Sequence, residues 1–257
     1  MRGACSIRAE SETVTEPIRV VVNGAKGRMG SEAVRAVSAA ADMRVVAQCD
    51  AFDDLTDAVR SRDAEVVVDF TTASVALENL AKILGSGACA VVGTSGFGEA
   101  EVEKARELCA KHGRSAVIAP NFALASILLA QCAALVARHL PHVELIEAHH
   151  DRKEDAPSGT AIKVAAEIAA ARTEVPRAPT SESVPGVRGG LSQGVRIHSI
   201  RVPGLLARME CLFGASGETL TIRHDTLTRE SFMPGVLLAV RKVRGLTGLT
   251  YGLEHLL

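Results

Sequence analysis

A glycine-rich turn near the start of the chain constrains the fold more than any other sequence feature. The β-branched run 18–23 predicts a buried strand, and residues 31–37 have a helical pattern. The turn between them, 24–30, has glycine at its first, fourth and seventh positions. Such a strand–turn–helix unit seats a pyrophosphate on the N-terminus of its helix. The sequence therefore predicts a dinucleotide-binding turn that contains Gly24, Ala25, Lys26, Gly27, Arg28 and Met29.

A carboxylate follows the second predicted strand. That strand runs from Met43 to Cys49, and Asp50 stands at its end, twenty residues after Gly30. In dinucleotide-binding domains a carboxylate in this place accepts hydrogen bonds from the adenosine ribose. The glycine spacing is G-x-x-G-x-x-G instead of the commoner G-x-G-x-x-G, so a tight turn without a ligand is the alternative interpretation.

The first half of the chain alternates strands with helices. Strands are predicted at 18–23, 43–49, 64–70, 88–93 and 115–119, and helices near 28–40, 73–85 and 99–112. Alternation of this kind implies right-handed crossovers and a parallel sheet. The predicted fold class is α/β, with a Rossmann-type doubly wound parallel sheet.

Three of the predicted strands end in segments that could approach a ligand closely. The segments are 69–72, 93–97 and 119–122, and each is small, hydroxylated or rich in glycine. Each could be only a turn, but ligands of such sheets bind at the carboxyl ends of the strands, where all three would meet. The candidate cofactor contacts in these segments are Gly93, Thr94, Ser95, Ala119, Pro120, Asn121 and Phe122.

The pattern changes after Phe122. An apolar helix from about Ala123 to His139, a strand at 143–148 and a helix at 160–171 precede a Pro/Gly/Ser-rich stretch, 175–194, which is expected to be an exposed loop. Strands are then predicted at 195–200, 207–213 and 218–224, and a helix at 231–243. These elements predict a smaller α+β domain with a mostly antiparallel sheet, after which the chain returns to the first domain. The expected division is a disordered tail at 1–17, a dinucleotide-binding domain at 18–121 with 230–257, and a substrate-binding domain at 122–229.

The segment 147–160 combines proton donors with an anion seat. His149, His150 and Lys153 lie in one short loop, and imidazole and ammonium groups can deliver protons near neutral pH. The helix that opens at Ser158, Gly159 and Thr160 offers free backbone N–H groups to an anion. Paired histidines alone are often structural, but the whole cluster favours a site for a small acidic substrate.

Composition excludes several other classes of function. The 29 basic and 30 acidic residues give a net charge of −1, and no tryptophan is present, so no nucleic-acid surface is expected. The six cysteines form no C-x-x-C pair, which predicts reduced thiols, no zinc site and a cytoplasmic protein. No apolar run is long enough to span a bilayer, and the first 17 residues lack the apolar core of a signal peptide.

Several motifs together resemble one enzyme family. The run E-x-H-H-x-x-K-x-D-A-P-S-G-T-A is present from Glu147 to Ala161 without a gap, beside the turn at 24–30 and the segments 67–71, 93–97 and 119–122. With these motifs taken together, the chain resembles the 4-hydroxy-tetrahydrodipicolinate reductases (dihydrodipicolinate reductases) over about residues 18–257. The segment 212–240 looks most like the actinobacterial branch of that family.

The resemblance implies a reaction and roles for individual residues. The reaction is reduction of 4-hydroxy-tetrahydrodipicolinate by NADH or NADPH, with loss of water, on the diaminopimelate route to lysine. By position, His149 matches the proton donor or acceptor and Lys153 a second proton donor. His150 matches a substrate-carboxylate contact, and Ser158, Gly159 and Thr160 match the seat of the other carboxylate. The family also implies a homotetramer assembled through the second sheet.

The chain departs from the family pattern at three positions. Ser95 stands where a second threonine is usual, and its hydroxyl is retained. Asp151 is less basic than the residue that often follows the two histidines, and Arg208 replaces a common histidine and is given no role.

Three other functions are compatible with parts of the pattern. A metallohydrolase could use His149, His150 and Asp151, but adjacent histidines rarely face one metal together and no H-E-x-x-H spacing is present. A dinucleotide sensor without catalysis would not need the intact histidine and lysine. A reductase of another imine or aldehyde is the strongest enzymatic alternative; no cysteine lies near the cluster to act as the nucleophile of a semialdehyde dehydrogenase.

Overall fold

A computed structural model describes residues 16–94, 96–176 and 180–257 of the chain. Two short 3-10 helices, Arg229–Phe232 and Leu253–Leu256, flank the last part of the fold. The other elements, in chain order, are β1 (Ile18–Asn23), α1 (Arg28–Ala39), β2 (Met43–Cys49), α2 (Leu55–Ser61), β3 (Val66–Asp69), α3 (Ala73–Gly85), β4 (Cys89–Val92), α4 (Glu99–His112), β5 (Ala116–Ile118), α5 (Leu124–Ala137), β6 (His142–His149), α6 (Gly159–Ala171), β7 (Gly190–Ser192), β8 (Val195–Arg201), β9 (Ala207–Ala215), β10 (Glu218–Thr226), α7 (Met233–Val243) and β11 (Leu249–Tyr251).

The first sheet has six strands in the order β11-β5-β4-β3-β1-β2, and every pairing in it is parallel. Its central strands consist largely of valine, and Val20–Val22 and Val66–Val68 are fully buried. Burial on both faces explains why these strands are continuously apolar. Helices α1 and α7 cover one face, and α2, α3 and α4 cover the other.

The register of the first sheet brings the ends of its strands to one edge. Asn23 pairs with Asp69, Asp69 with Val92, and Val92 with Ile118. The residues that follow these four positions therefore lie side by side along the carboxyl edge. This edge is where ligands of open parallel sheets bind.

The second sheet has five strands in the order β10-β9-β6-β8-β7. The β6–β8 pairing is parallel and the other three are antiparallel. Helices α5 and α6 pack on one face, where alternate residues such as Leu145, Ile197 and Phe213 are buried. This alternation is what a strand with one covered face requires.

The end of the chain returns to the first sheet. Val236 and Val240 of α7 belong to the same apolar cluster as Val20 of β1, and β11 adds the sixth parallel strand beside β5. A Cβ at Gly235 would lie 2.1 Å from the carbonyl oxygen of Phe122, so the return segment packs tightly on the crossing between the sheets. We propose residues 18–121 with 230–257 as one domain and 122–229 as the other.

The predicted fold class is confirmed, namely a parallel Rossmann-type sheet plus a mostly antiparallel second sheet. The short elements α2 and β11 were not predicted, and β7 lies inside a stretch expected to be a loop. The strands β7 and β11 have three residues each and depend on pairing with distant partners, which local pattern does not record. Of the predicted tail 1–17, all but Glu16 and Pro17 lies outside the described residues.

Candidate active site

A cleft of about 660 Å³ lies between the carboxyl edge of the first sheet and the second half of the chain. From the carboxyl edge of the first sheet it receives Met29, Pro120 and Asn121. From the second half of the chain it receives four of the predicted substrate and catalytic residues, which are His149, His150, Lys153 and Thr160. The fold thus brings together residues that the sequence separates by more than a hundred positions.

The glycine turn is folded too tightly for larger residues. Gly24 has φ +75°, and a Cβ on it would lie 2.7 Å from the carbonyl oxygen of Phe70. A Cβ on Gly30 would lie 2.0 Å from the carbonyl oxygen of Gly24. At Gly24 and Gly30 the neighbouring backbone is too close to leave room for a Cβ, which explains two of the three glycines of the turn.

The helix that leaves this turn presents its N-terminus to the edge of the sheet. Its first hydrogen bond of the i to i−4 kind runs from Ser31 N to Gly27 O, so the N–H groups of Arg28, Met29 and Gly30 precede the helical ladder. The first turn of α1, which is fully described, contains no acidic residue and no side-chain cap. With Lys26 beside it, this end of the helix fits an anionic pyrophosphate.

Asp50 lies beside the turn, as the sequence predicts from its place after β2. Its Oδ1 accepts from Lys26 N at 3.3 Å, and its Oδ2 lies 3.8 Å from Lys26 Nζ. Its own backbone N–H donates to Asp53 Oδ2 at 2.8 Å, which fixes the chain at the end of the strand. The carboxylate is partly exposed.

The segment after β4 carries an unpartnered hydroxyl. Thr94 Oγ1 is buried and has no hydrogen-bond partner among the described residues. A Cβ on the preceding Gly93 would lie 2.0 Å from the ring of Phe70, so a larger residue here would have to displace that ring. Phe70 in turn meets the buried Phe122 edge to face, at 6.0 Å between ring centroids. Ser95 lies outside the described residues.

The segment after β5 begins the crossing into the second domain. Ala119 is buried under the edge, while Pro120 and Asn121 line the cleft. The Asn121 side chain accepts from Ala123 N at 2.9 Å and donates to Ser126 Oγ at 3.0 Å. Asn121 therefore holds the entry to α5 in place.

Helix α6 opens at the cleft. The buried Ser158 caps it, since Ser158 Oγ accepts from Ala161 N at 3.2 Å and its carbonyl accepts from Ile162 N. The N–H groups of Gly159 and Thr160 precede the helical ladder and remain for an anion. Ser158 lies behind these two residues, and Gly159 lines an adjacent cavity that also contacts Thr160.

His149 ends β6 and is held from behind by a carboxylate. Its Nδ1 lies 2.5 Å from Oε2 of Glu147, a side chain with no exposed surface. Burial lowers the pKa of the His149 ring below its ordinary value, although the Glu147 carboxylate opposes that shift. With Nδ1 engaged by Glu147, Nε2 is the ring nitrogen left for a ligand in the cleft.

The other two predicted site residues of this loop, Lys153 and His150, also line the cleft. Lys153 Nζ donates to Asp155 Oδ1 at 2.6 Å, and this bond lowers the pKa of the Asp155 carboxyl. His150 Nδ1 is buried and has no partner among the described residues. A buried ring nitrogen without a partner is costly, so a ligand oxygen would satisfy it.

Sequence reasoning missed several charged residues of this region. The cleft is also lined by three arginines, Arg152, Arg208 and Arg229. Two carboxylates, Glu154 and Asp155, line it as well and balance part of their positive charge. Arg208, one of the departures from the family pattern, donates to Asp225 Oδ1 at 2.7 Å. The excess of cationic side chains suits a substrate with two carboxylates.

Glu147 was part of the predicted motif but received no role, and Arg201 was not singled out at all. Side chains two residues apart on a strand lie on the same face, so Glu147 and His149 share a face of β6. A contact between these two side chains could therefore have been predicted from the sequence. The contact between Arg201 and Glu147 depends on the β6–β8 register and has no local signal.

Within the described ranges, no three His, Cys, Asp or Glu side chains are grouped so that they could hold a metal ion. None of the helices in these ranges combines the length and the apolar character needed to cross a membrane.

Comparisons with known proteins agree on one family. Residues 18–122 match the model for the N-terminus of dihydrodipicolinate reductase, and residues 123–257 match the model for its C-terminus. The 4-hydroxy-tetrahydrodipicolinate reductase of Mycolicibacterium smegmatis is 49% identical over 243 residues, and that of Legionella pneumophila strain Lens is 46% identical over 240. Each match covers 93% of this chain and 99% of the relative.

A solved structure has the same fold throughout. The dipicolinate-bound dihydrodipicolinate reductase from Paenisporosarcina sp. TG-14 superposes with a TM-score of 0.85 and is 35% identical. The match covers 94% of this chain and 100% of that one. On these matches the chain belongs to the dihydrodipicolinate reductase family.

Proposed function

We propose that the chain reduces 4-hydroxy-tetrahydrodipicolinate to tetrahydrodipicolinate, with loss of water, using the residues that meet in the cleft. The family is one of NAD(P)-dependent oxidoreductases of lysine and diaminopimelate biosynthesis. The observation that carries the assignment is the shared cavity, in which His149 and Lys153 face the rim residues Met29 and Asn121. Proton donors and a nucleotide edge in one cavity are what a reductase requires.

The cofactor is assigned to the carboxyl edge of the first sheet. The free N–H groups at the start of α1 and the side chain of Arg28 would hold the pyrophosphate, and Asp50 would hold the adenosine ribose. The unpartnered Thr94 hydroxyl supports a ligand along the same edge. When bound there, a reduced nicotinamide supplies the hydride.

Both NADH and NADPH are proposed as cofactors. Asp50 favours the ribose hydroxyls of NADH and repels the additional phosphate of NADPH. Lys26, which already lies 3.8 Å from Asp50, and Arg28 offset that repulsion. The net effect is dual use, with the preference for NADH set by Asp50.

The substrate is a small dicarboxylate, and the cleft offers it two seats. One carboxylate is assigned to the N–H groups of Gly159 and Thr160 and to the Thr160 hydroxyl. The other is assigned to His150, whose buried Nδ1 has no partner in the part of the chain that the structure describes. In the Paenisporosarcina relative the bound molecule is itself a dicarboxylate, dipicolinate.

The histidine and the lysine can each donate a proton. Arrival of a hydride at a ring carbon leaves negative charge on the substrate, which a nearby acid must neutralise. His149 is placed to donate from Nε2, because Glu147 occupies Nδ1. Lys153 can pair with the substrate anion and, after leaving Asp155, is the alternative donor of that proton.

A homotetramer formed through the second sheet is also proposed, for a protein of the cytoplasm. The face of that sheet opposite α5 and α6 carries the exposed apolar side chains of Leu191, Ile200 and Leu212. Exposed apolar residues on an uncovered sheet face favour association. Light scattering of the purified chain would measure the mass of the assembly.

A coupled assay tests the reaction. Substrate is generated in situ by the enzyme of the preceding step, and oxidation of NADH and of NADPH is followed in separate reactions. Oxidation with both cofactors that depends on the preceding enzyme is expected. Oxidation of neither cofactor in the presence of substrate would refute the proposed function.

A further inference from the structure

A buried carboxylate lies directly behind the proposed proton donor. Glu147 is two residues before His149 on β6 and has no exposed surface. Burying a lone carboxylate is strongly unfavourable, so a buried carboxylate needs charged or hydrogen-bonding partners around it. Burial raises the pKa of the Glu147 carboxyl, but hydrogen bonds from Arg201 and Ser199 outweigh it and hold the pKa below its ordinary value.

Arg201 connects this carboxylate to the loop that carries Lys153. Its Nη2 donates to Glu147 Oε1 at 2.8 Å and to the carbonyl oxygen of Asp155 at 2.6 Å. Its Nε donates to the carbonyl oxygen of Lys153 at 3.3 Å, and its Nη1 donates to the Ile200 carbonyl oxygen at 2.8 Å. One guanidinium therefore joins β6, β8 and the loop 150–155.

Neither residue reaches the cleft itself. Glu147 and Arg201 are absent from the lining of the cavity that holds His149 and Lys153. They can act on the reaction only through the residues that they hold. A planar group with several donors in fixed geometry suits this task, and a lysine could not make all of these bonds at once.

We propose that Glu147 and Arg201 are a positioning pair that sets the orientation and the protonation of His149 and fixes the loop bearing Lys153. This inference rests on the proposed role of His149 as proton donor. Glu147 holds Nδ1–H, which leaves Nε2 to face the substrate, and its negative charge stabilises the protonated ring. Arg201 keeps Glu147 ionised and anchors two carbonyl oxygens of the loop.

The charges around His149 determine the sign of the expected pH effect. Glu147 on β6 raises the pKa of the ring, whereas Lys153 in the loop and Arg201 on β8 lower it. Removal of the Glu147 charge leaves burial and the two cations, so the pKa of His149 must fall further. Because a proton donor works in its protonated form, the fall of kcat/KM at high pH then moves to lower pH.

Glu147→Gln removes the charge with little change in size, and its single carbonyl oxygen can accept either from His149 Nδ1–H or from Arg201 Nη2, whereas the carboxylate accepts from both. The matched control is Glu144→Gln on the same strand, where the carboxylate is paired with Arg188 and His198 in the same manner but lies away from His149. The His149 ring is titrated by NMR in each protein, with its signals assigned from a His149→Gln sample. We expect Glu147→Gln to lower the His149 pKa by about one unit or more, and Glu144→Gln to leave it unchanged.

The kinetic expectation for the same variants follows. Glu147→Gln should lower kcat/KM by about 10- to 100-fold, part of the 10²–10⁴ that a general acid supplies. The high-pH limb should move together with the NMR value. An unchanged His149 pKa in Glu147→Gln would overturn the proposal even if the wild-type chain reduces the substrate normally. Absence of activity in the wild type would refute the proposed function and leave the titration as an independent test of the pair.

Arg201→Lys tests the second half of the pair, with Arg188→Lys as its control. Lysine keeps the charge but cannot hold Glu147 and the loop carbonyl oxygens together. Amide hydrogen exchange in residues 150–156 should be about tenfold faster in Arg201→Lys and unchanged in Arg188→Lys. Equal exchange in Arg201→Lys and wild type would overturn the anchoring role, and the Glu147→Gln titration keeps the proposal testable if Arg201→Lys fails to fold.

Discussion

Replacement of Gly30 by alanine probes the nucleotide edge without touching any ionisable group. Gly30 lies in the first turn of α1, and its new Cβ would lie 2.0 Å from Gly24 O, 2.7 Å from Gly24 C and 2.9 Å from Ala25 Cα. All three atoms belong to the backbone, so no side chain can rotate away. The Gly24 carbonyl oxygen must retreat until the separation reaches about 3.4 Å, the start of ordinary van der Waals contact.

The two expected effects differ in size. Overpacking of this kind costs about 1–3 kcal/mol, and alanine regains up to about 1 kcal/mol relative to glycine within a helix. The loss of unfolding free energy should therefore be about 0–3 kcal/mol. Displacement of the turn should also break at least one charge-assisted hydrogen bond to the pyrophosphate, worth about 1.5–3 kcal/mol. That loss corresponds to roughly 10- to 100-fold weaker binding of NADH.

Gly85→Ala is the matched control. Gly85 ends α3 at the opposite edge of the sheet, and a Cβ there would meet His112 at 3.4 Å, an ordinary contact. Calorimetric titration with NADH and urea unfolding are run on both variants. Gly85→Ala should bind NADH as the wild type does. If Gly30→Ala also binds NADH with wild-type affinity, the turn is not the pyrophosphate seat.

Three further substitutions test single contacts. Asp50→Ala should raise the kcat/KM for NADPH relative to that for NADH by about tenfold, since it removes a charge that repels the additional phosphate, and an unchanged ratio would mean that Asp50 does not face the ribose. Thr160→Ala should raise KM by about tenfold with little change in kcat, because the carboxylate it binds is equally charged before and during hydride transfer; a fall in kcat alone would contradict the seat. Gly93→Ala places a Cβ 2.0 Å from the Phe70 ring and should lower the unfolding free energy by about 1–3 kcal/mol in urea titrations. A value within about 0.5 kcal/mol of wild type would show that the Phe70 ring moves aside without a measurable cost.

Features set by local sequence were the ones that could be predicted. The apolar runs predicted the full bounds of β1 and β2. Strand β1 is buried along almost its whole length, whereas β2 at the edge of the sheet is buried only at Met43 and Cys49. The place of Asp50 followed from the end of β2. The helix that opens after Ser158 was predicted to within one residue, since the motif contains its own N-cap.

Contacts between distant residues could not be predicted. Arg201 meets Glu147 across 54 positions, and the meeting depends on the parallel register of β6 and β8. The three-residue strand β11 has too short a pattern to be read, and it exists because β5 offers it an open edge. The positions of Arg208 and Arg229 in the cleft also depend on contacts between distant segments, so only the folded structure shows that they line it.

Single-turnover hydride transfer in wild type and His149→Gln is the most direct test of the proton-donor assignment. Enzyme is mixed in excess over NADH and substrate, so that product release cannot mask the chemical step, and the loss of NADH absorbance is followed. We expect a transfer rate about 10²–10⁴-fold lower in His149→Gln, with a smaller change in substrate affinity. A near-normal rate in His149→Gln would contradict this expectation and would assign the proton to Lys153 or to water.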